Sequence, residues 1–145
     1  MNMSETTNVS KPISISINMN LPSHASELRQ AEEKIKRIKE EIVLIKINRS
    51  INDSKHTRLY EETVSVLDWV GRMSVSVFEI RDELEMCYEN AYPKAPRLAY
   101  RLFDEHYSRL HHPYSLLKNR CYAILEDLDK TYINKFKKNP PNWEI

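Results

Sequence analysis

Apolar side chains along residues 54–92 fall at the spacing of a helix face. Leu59, Val66, Val70, Met73, Val77, Ile80, Leu84 and Cys87 recur at three- and four-residue steps, interrupted only at Thr63, which is the period of an α-helix. Tyr60, Val64, Leu67, Gly71, Ser74, Phe78 and Tyr88 form a second stripe beside the first. So wide an apolar arc predicts a central helix with protein on two sides. Gly71 and Ser74 mark a low point on it where another helix is expected to cross, because a helical glycine costs about 1 kcal/mol against alanine and needs a packing reason.

An earlier helix is predicted from Ser23, with Glu27 near the position a capping box would fill. Its Leu28, Ala31, Ile35, Ile38, Ile42 and Ile45 keep a heptad spacing, a coiled-coil-like seam of about two and a half heptads. In a parallel pair of copies, Glu27 would face Glu32 and Lys34 would face Lys39, so antiparallel pairing or packing against the central helix is preferred. Val43, Leu44 and Ile47 broaden the apolar surface into a face that globular packing is expected to bury. Asn48 to Asp53 is a polar break, after which Asp53 or Ser54 can cap the central helix.

Pro93 and Pro96 separate the central helix from a third, which presents Leu98, Ala99, Leu102, Phe103, His106 and Leu110. Pro113 is expected to divide this from a fourth, with Leu117, Cys121, Ile124, Leu125, Leu128, Tyr132 and Phe136 on its core face. The expected fold is all-α: a four-helix bundle with helices over 23–48, 54–92, 96–112 and 114–138. It forms one domain over 23–138, followed by a C-terminal tail over 139–145 whose Trp143 and Ile145 either fold back or wait for a partner.

Residues 1–22 read as an extended arm. Between Pro12 and Pro22, Ile13, Ile15, Ile17, Met19 and Leu21 alternate with Ser14, Ser16, Asn18 and Asn20, the period of a β-strand. A lone strand in a helical chain must pair across a dimer, add to another protein's sheet edge, or lie along the bundle without forming a sheet.

Composition narrows the function classes. One glycine stands in 145 residues, against around ten at the average usage of about 7%. Tight hairpins and phosphate-cradling loops therefore have no material. Lys and Arg number 22 and Asp and Glu 21, leaving a net charge of +1, so no whole-molecule field holds nucleic acid or an acidic membrane. The charges are uneven: eight acids and four bases occupy 54–92, and six bases with two acids occupy 94–120. Mutual complementarity inside the fold is the simplest reason, and an anion-binding surface the other. The longest aliphatic run, Ile42 to Ile45, is far short of a membrane span. The opening residues have neither a basic start nor an apolar stretch, which implies a cytoplasmic protein with Cys87 and Cys121 as reduced thiols.

Candidate chemistry is sparse. His106, His111 and His112 miss the separations of three or four that put metal ligands on one helix face, and no cofactor or metal is expected. Arg101-Leu-Phe-Asp-Glu-His106 resembles the Arg-x4-His motif of the HEPN ribonucleases, small helical bundles that cleave RNA at a dimer interface. That resemblance implies His106 in proton transfer and Arg101 on phosphate charge. Residues 15–31, ISINMNLPSHASELRQA, are similar to the start of ribbon-helix-helix repressors, whose dimeric ribbon enters the DNA major groove.

The surplus of apolar periodicity favours a non-enzymatic protein-protein interaction module: an adaptor, assembly factor or regulator. It is expected to act through Ile13, Ile15 and Ile17 of the arm and Leu28, Ile35, Ile38, Ile42 and Ile45 of the seam. The expected partner is a second copy, as a homo-oligomer, or another protein, with nucleic acid less favoured and no membrane.

Overall fold

A computed structural model describes residues 24–144 of the chain, and every element in them is helical. Helix α1 covers Ala25–Asn48, α2 Asp53–Glu79, α3 Arg81–Ala91 and α4 Pro96–Phe136, and a short 3₁₀ turn follows at Pro141–Glu144. Against the single bundle expected over 23–138, these residues cluster into two compact units. One contains Ser74–Pro113; the other contains Ala25–Met73 and Tyr114–Ile145. The expected strand over 13–21, and with it the arm over 1–22, lies outside the described residues, as do the side chains of Trp143 and Ile145.

Two expected boundaries are corrected. Residues 54–92 are not one helix, because α2 ends at Glu79 and α3 begins at Arg81. Ile80 carries the break with φ −88° and ψ 0°, while the Leu84 amide still donates to the Ile80 carbonyl at 3.0 Å. No glycine or proline marks this point, but Asp82 and Glu83 occupy the first turn of α3, where a helix dipole favours acids. Conversely, Pro113 does not end a helix: it sits inside the 41-residue α4, at the boundary between the two units. It removes one backbone donor there, and the helix continues through it.

The larger unit packs α1, the first part of α2 and the last part of α4 around a shared core. Into it α1 sends Ile35, Ile38, Ile42 and Ile45, α2 sends Leu59, Val66 and Val70, and α4 sends Leu117, Cys121, Ile124, Leu128 and Tyr132. Each isoleucine buried this fully contributes roughly 1.5–3 kcal/mol. Thr63, the polar gap in the central stripe, is also fully buried, and its Oγ1 donates to the Leu59 carbonyl at 2.8 Å. The gap costs the stripe nothing because the hydroxyl is satisfied within its own helix.

The helix ends show how a chain with one glycine makes its turns. At the close of α1 the Ser50 amide bonds the Ile45 carbonyl at 3.1 Å across Arg49, which has φ 52°, the Schellman arrangement usually built on glycine. Lys137, with φ 61°, ends α4 by donating to the Ile133 carbonyl at 2.8 Å. Lys135 Nζ then donates to the carbonyls of Arg49 and Ile51, each at 2.8 Å, tying these two ends together. The cap of α2 is neither Asp53 nor Ser54, since Asn52 Oδ1 accepts the Lys55 amide at 2.8 Å. Ion pairs join Lys46 to Asp127 at 2.7 Å and Arg58 to Glu41. None of the ion pairs seen among the described residues uses the bases of 94–120.

The smaller unit has its own cluster: Leu84 and Tyr88 of α3 against Ala99 and Phe103 of α4, with Ile80, Tyr92, Leu102, Tyr107 and Leu110 packed around them. Gly71 does not mark a helix crossing. A Cβ built on it would meet nothing within 4 Å.

Candidate functional site

The two faces of α1 have exchanged the roles expected of them. Ile35, Ile38, Ile42 and Ile45 are only 1–3% exposed and belong to the core of the larger unit. Leu28 is half-buried, and Ile13, Ile15 and Ile17 lie outside the described residues. The residues expected to be covered are the open ones: Val43, Leu44 and Ile47 are 54%, 57% and 71% exposed. The heptad seam was legible, but a seam records only that a face is covered. Here the cover is the chain itself.

At 100° per residue, Arg29, Glu33, Lys36, Glu40, Val43 and Ile47 lie within about 60° of one line on α1, and all six are exposed. Along that line the charges alternate in sign before giving way to aliphatic side chains. None of the four charged groups has an ion-pair partner among the described residues. A groove of about 620 Å³ lies beside this line, with Lys36, Glu40 and Val43 on its α1 wall and Arg120 of α4 on the other. The face can bury apolar surface and pair charges.

A second constellation sits at one end of the larger unit. The His56 side chain is 0% exposed, and its Nε2 lies 2.8 Å from Asp129 Oδ1. Its ring stacks on Tyr60 at 5.7 Å between centroids and meets the edge of Tyr132 at 5.3 Å. The Tyr132 hydroxyl donates to Asp53, which leaves capping of α2 to Asn52. His56 Nδ1 has no hydrogen-bond partner. With no opening to solvent at the imidazole, the cluster fixes how α2 and α4 meet. Carrying the apolar stripe back three residues from Leu59 reaches His56, so its burial was readable; its partner 73 residues away was not.

Arg101 and His106 do not converge. On the continuous α4 five residues turn through about 140°, and Arg101 is exposed while His106 is half-buried. The His106 Nδ1 lies 2.8 Å from the Tyr88 hydroxyl. Burial, with Arg109 adding to it, holds the imidazole below its usual protonation range, and burial likewise raises the Tyr88 phenol. This is a packed polar pair inside the smaller unit. Burial pushes the Cys121 thiol up to about 11, which disfavours its thiolate; Cys87, also free, is half-buried. Among the described residues no three His, Cys, Asp or Glu side chains gather as metal ligands, and no helix is long and apolar enough to cross a membrane.

No known protein family, curated protein or solved structure matches this chain.

Proposed function

We propose that the protein is a non-enzymatic helical interaction module that binds a second copy of itself through the outer face of α1. What carries the reading is the exposure of Val43, Leu44 and Ile47 together on that face. Solvated apolar side chains this close together are unusual on a monomer and mark an interaction surface.

The charge pattern selects the occupant. In a parallel copy Arg29, Glu33, Lys36 and Glu40 would each meet their own kind. In an antiparallel copy aligned about residue 38, Lys36 of each chain meets Glu40 of the other. Ile47 then lies over the aliphatic stem of Arg29, and Val43 over that of Glu33. Arginine and lysine stems bury readily while their heads stay wet. The contacts of such an interface run from Arg29 to Ile47, about 27 Å at 1.5 Å per residue.

Light scattering tests this directly. The parent chain is expected to have the mass of a dimer, and Ile47→Glu the mass of a monomer with unchanged helix content, because Ile47 supports no core packing. A parent chain that stays monomeric up to millimolar concentration removes the proposal.

A further inference from the structure

The smaller unit holds a cavity of about 390 Å³ where α3 ends and α4 begins. Its walls divide by chemistry. Glu85 and Glu89 of α3 supply two carboxylates; Tyr92, Tyr100 and Phe103 supply three aromatic rings, and Pro93 and Pro96 fill the turn. Lys94 and Arg97 lie in the same stretch of chain but do not line the cavity.

Each acidic group stands where the fold opposes it. Glu85 and Glu89 are four residues apart on one helix, where like charges repel. Glu89 also sits in the last turn of α3, which contains no basic residue, and there the helix dipole favours a cation and disfavours an acid. Neither carboxylate has an ion-pair partner among the described residues. One positive group in the cavity would relieve both conflicts at once. The rings suit such a group as well, because an aromatic face attracts a cation. Tyr100 keeps 65% of its surface exposed and stands 6.4 Å from Phe103 between ring centroids at an interplanar angle of 46°, so two rings approach the cavity at an angle to one another. The lining sets three rings and two prolines beside the two carboxylates and Asn90, and a bare metal ion would use the oxygens and leave the rings without a role. An ammonium ion carrying carbon substituents matches rings and carboxylates together.

We infer that this cavity binds an alkylated ammonium group, with Tyr92, Tyr100 and Phe103 against its carbon substituents and Glu85 and Glu89 balancing its charge. The site shares no residue with the α1 face, so it stands or falls independently of self-association. Two sources carry the same chemistry: a small quaternary amine such as choline, and the trimethylated side chain of a lysine in another protein.

The test is NMR titration of the full chain, reading the aromatic resonances of Tyr100 and Phe103, with four probes. These are tetramethylammonium, choline, the blocked trimethyl-lysine amino acid, and the neutral carbon isostere of choline. The three cations are expected to shift those resonances saturably and the neutral isostere not to. The tighter of choline and trimethyl-lysine identifies the source. Tyr100→Ala is expected to weaken binding roughly tenfold, the weight of a close cation–π contact. Glu89→Gln is expected to weaken it while leaving the melting temperature equal or higher, since it removes a repulsion; loss of binding there cannot be attributed to unfolding. Equal binding of the neutral isostere, the absence of saturable shifts from all three cations, or unchanged affinity in both variants overturns the assignment.

Discussion

His56 and Asp129 are 73 residues apart in the chain and 2.8 Å apart in the fold. The pair links the first turns of α2 to the late turns of α4, and its imidazole has no access to water. A buried donor or acceptor that loses its partner costs more than the hydrogen bond contributed, about 1–3 kcal/mol. Asp129→Ala is therefore expected to destabilise the larger unit by that amount in urea unfolding. His56→Phe combined with Asp129→Leu should cost less than the two single changes added together, because the double change removes both partners of this bond at once. Strict additivity would mean that the contact is incidental.

Gly71 is exposed within α2, and a methyl group there would touch nothing. Gly71→Ala should accordingly stabilise the protein by about 1 kcal/mol, the propensity difference alone. A lower thermal midpoint in the variant would show that a neighbour the structure lacks approaches this position.

Arg49 and Lys137 hold positive φ, at 52° and 61°, in a region that costs a residue with a Cβ about 1–2 kcal/mol and glycine almost nothing. At position 49 the backbone carbonyl, and not the side chain, receives Lys135, so Arg49→Gly keeps that contact. Chemical denaturation of Arg49→Gly and Lys137→Gly should show each to be as stable as the parent or more so by up to about 1 kcal/mol. A clear loss at either site would assign its side chain a role that backbone geometry does not explain.

The antiparallel register makes a reciprocal prediction. Glu40→Lys alone places two lysines against each other and should weaken the dimer several-fold, as judged by sedimentation equilibrium. Adding Lys36→Glu reverses both partners of the pair and should restore association. If the double variant associates no better than the single one, the two residues do not face each other and the register is wrong.

His106 predicts a pH dependence. Its folded-state pKa is lowered, chiefly by burial and secondarily by Arg109, from an unfolded value of about 6.5. Above that value the imidazole is neutral in both states and contributes no slope. As the pH falls through about 6.5 the unfolded chain takes up the proton first, so stability declines until the lowered folded value is reached. Unfolding free energies at a series of pH values from neutral to mildly acidic should show that decline in the parent, and less of it in His106→Gln, which can still bond Tyr88. Equal slopes would place the titration elsewhere.

The sequence determined that the described residues are helical. The apolar stripe through Leu59, Val66 and Val70 and the seam from Ile35 to Ile45 are local repeats, and a repeat at the helical period states both the element and its covered face. The scarcity of glycine excluded tight-turn architectures without any knowledge of packing. Only the tertiary structure decided what covers each face, because that depends on residues dozens of positions away. The seam of α1 closes on α2 and α4 of its own chain, and the side chains that broadened it, Val43, Leu44 and Ile47, are left open. Thr63 and His56 enter the core beside polar partners: a carbonyl one turn back for the first, and a carboxylate from α4 for Nε2 of the second, whose Nδ1 stays unpaired. Pro113 stays inside a helix for a related reason. Its missing donor is a local cost, and the flanking turns of α4 are held by buried side chains on both sides: Ala99 and Phe103 before it, Leu117 and Cys121 after it. Periodicity is a property of neighbours in sequence, whereas burial, pairing and exposure belong to neighbours in space, and the candidate sites are built from the second kind.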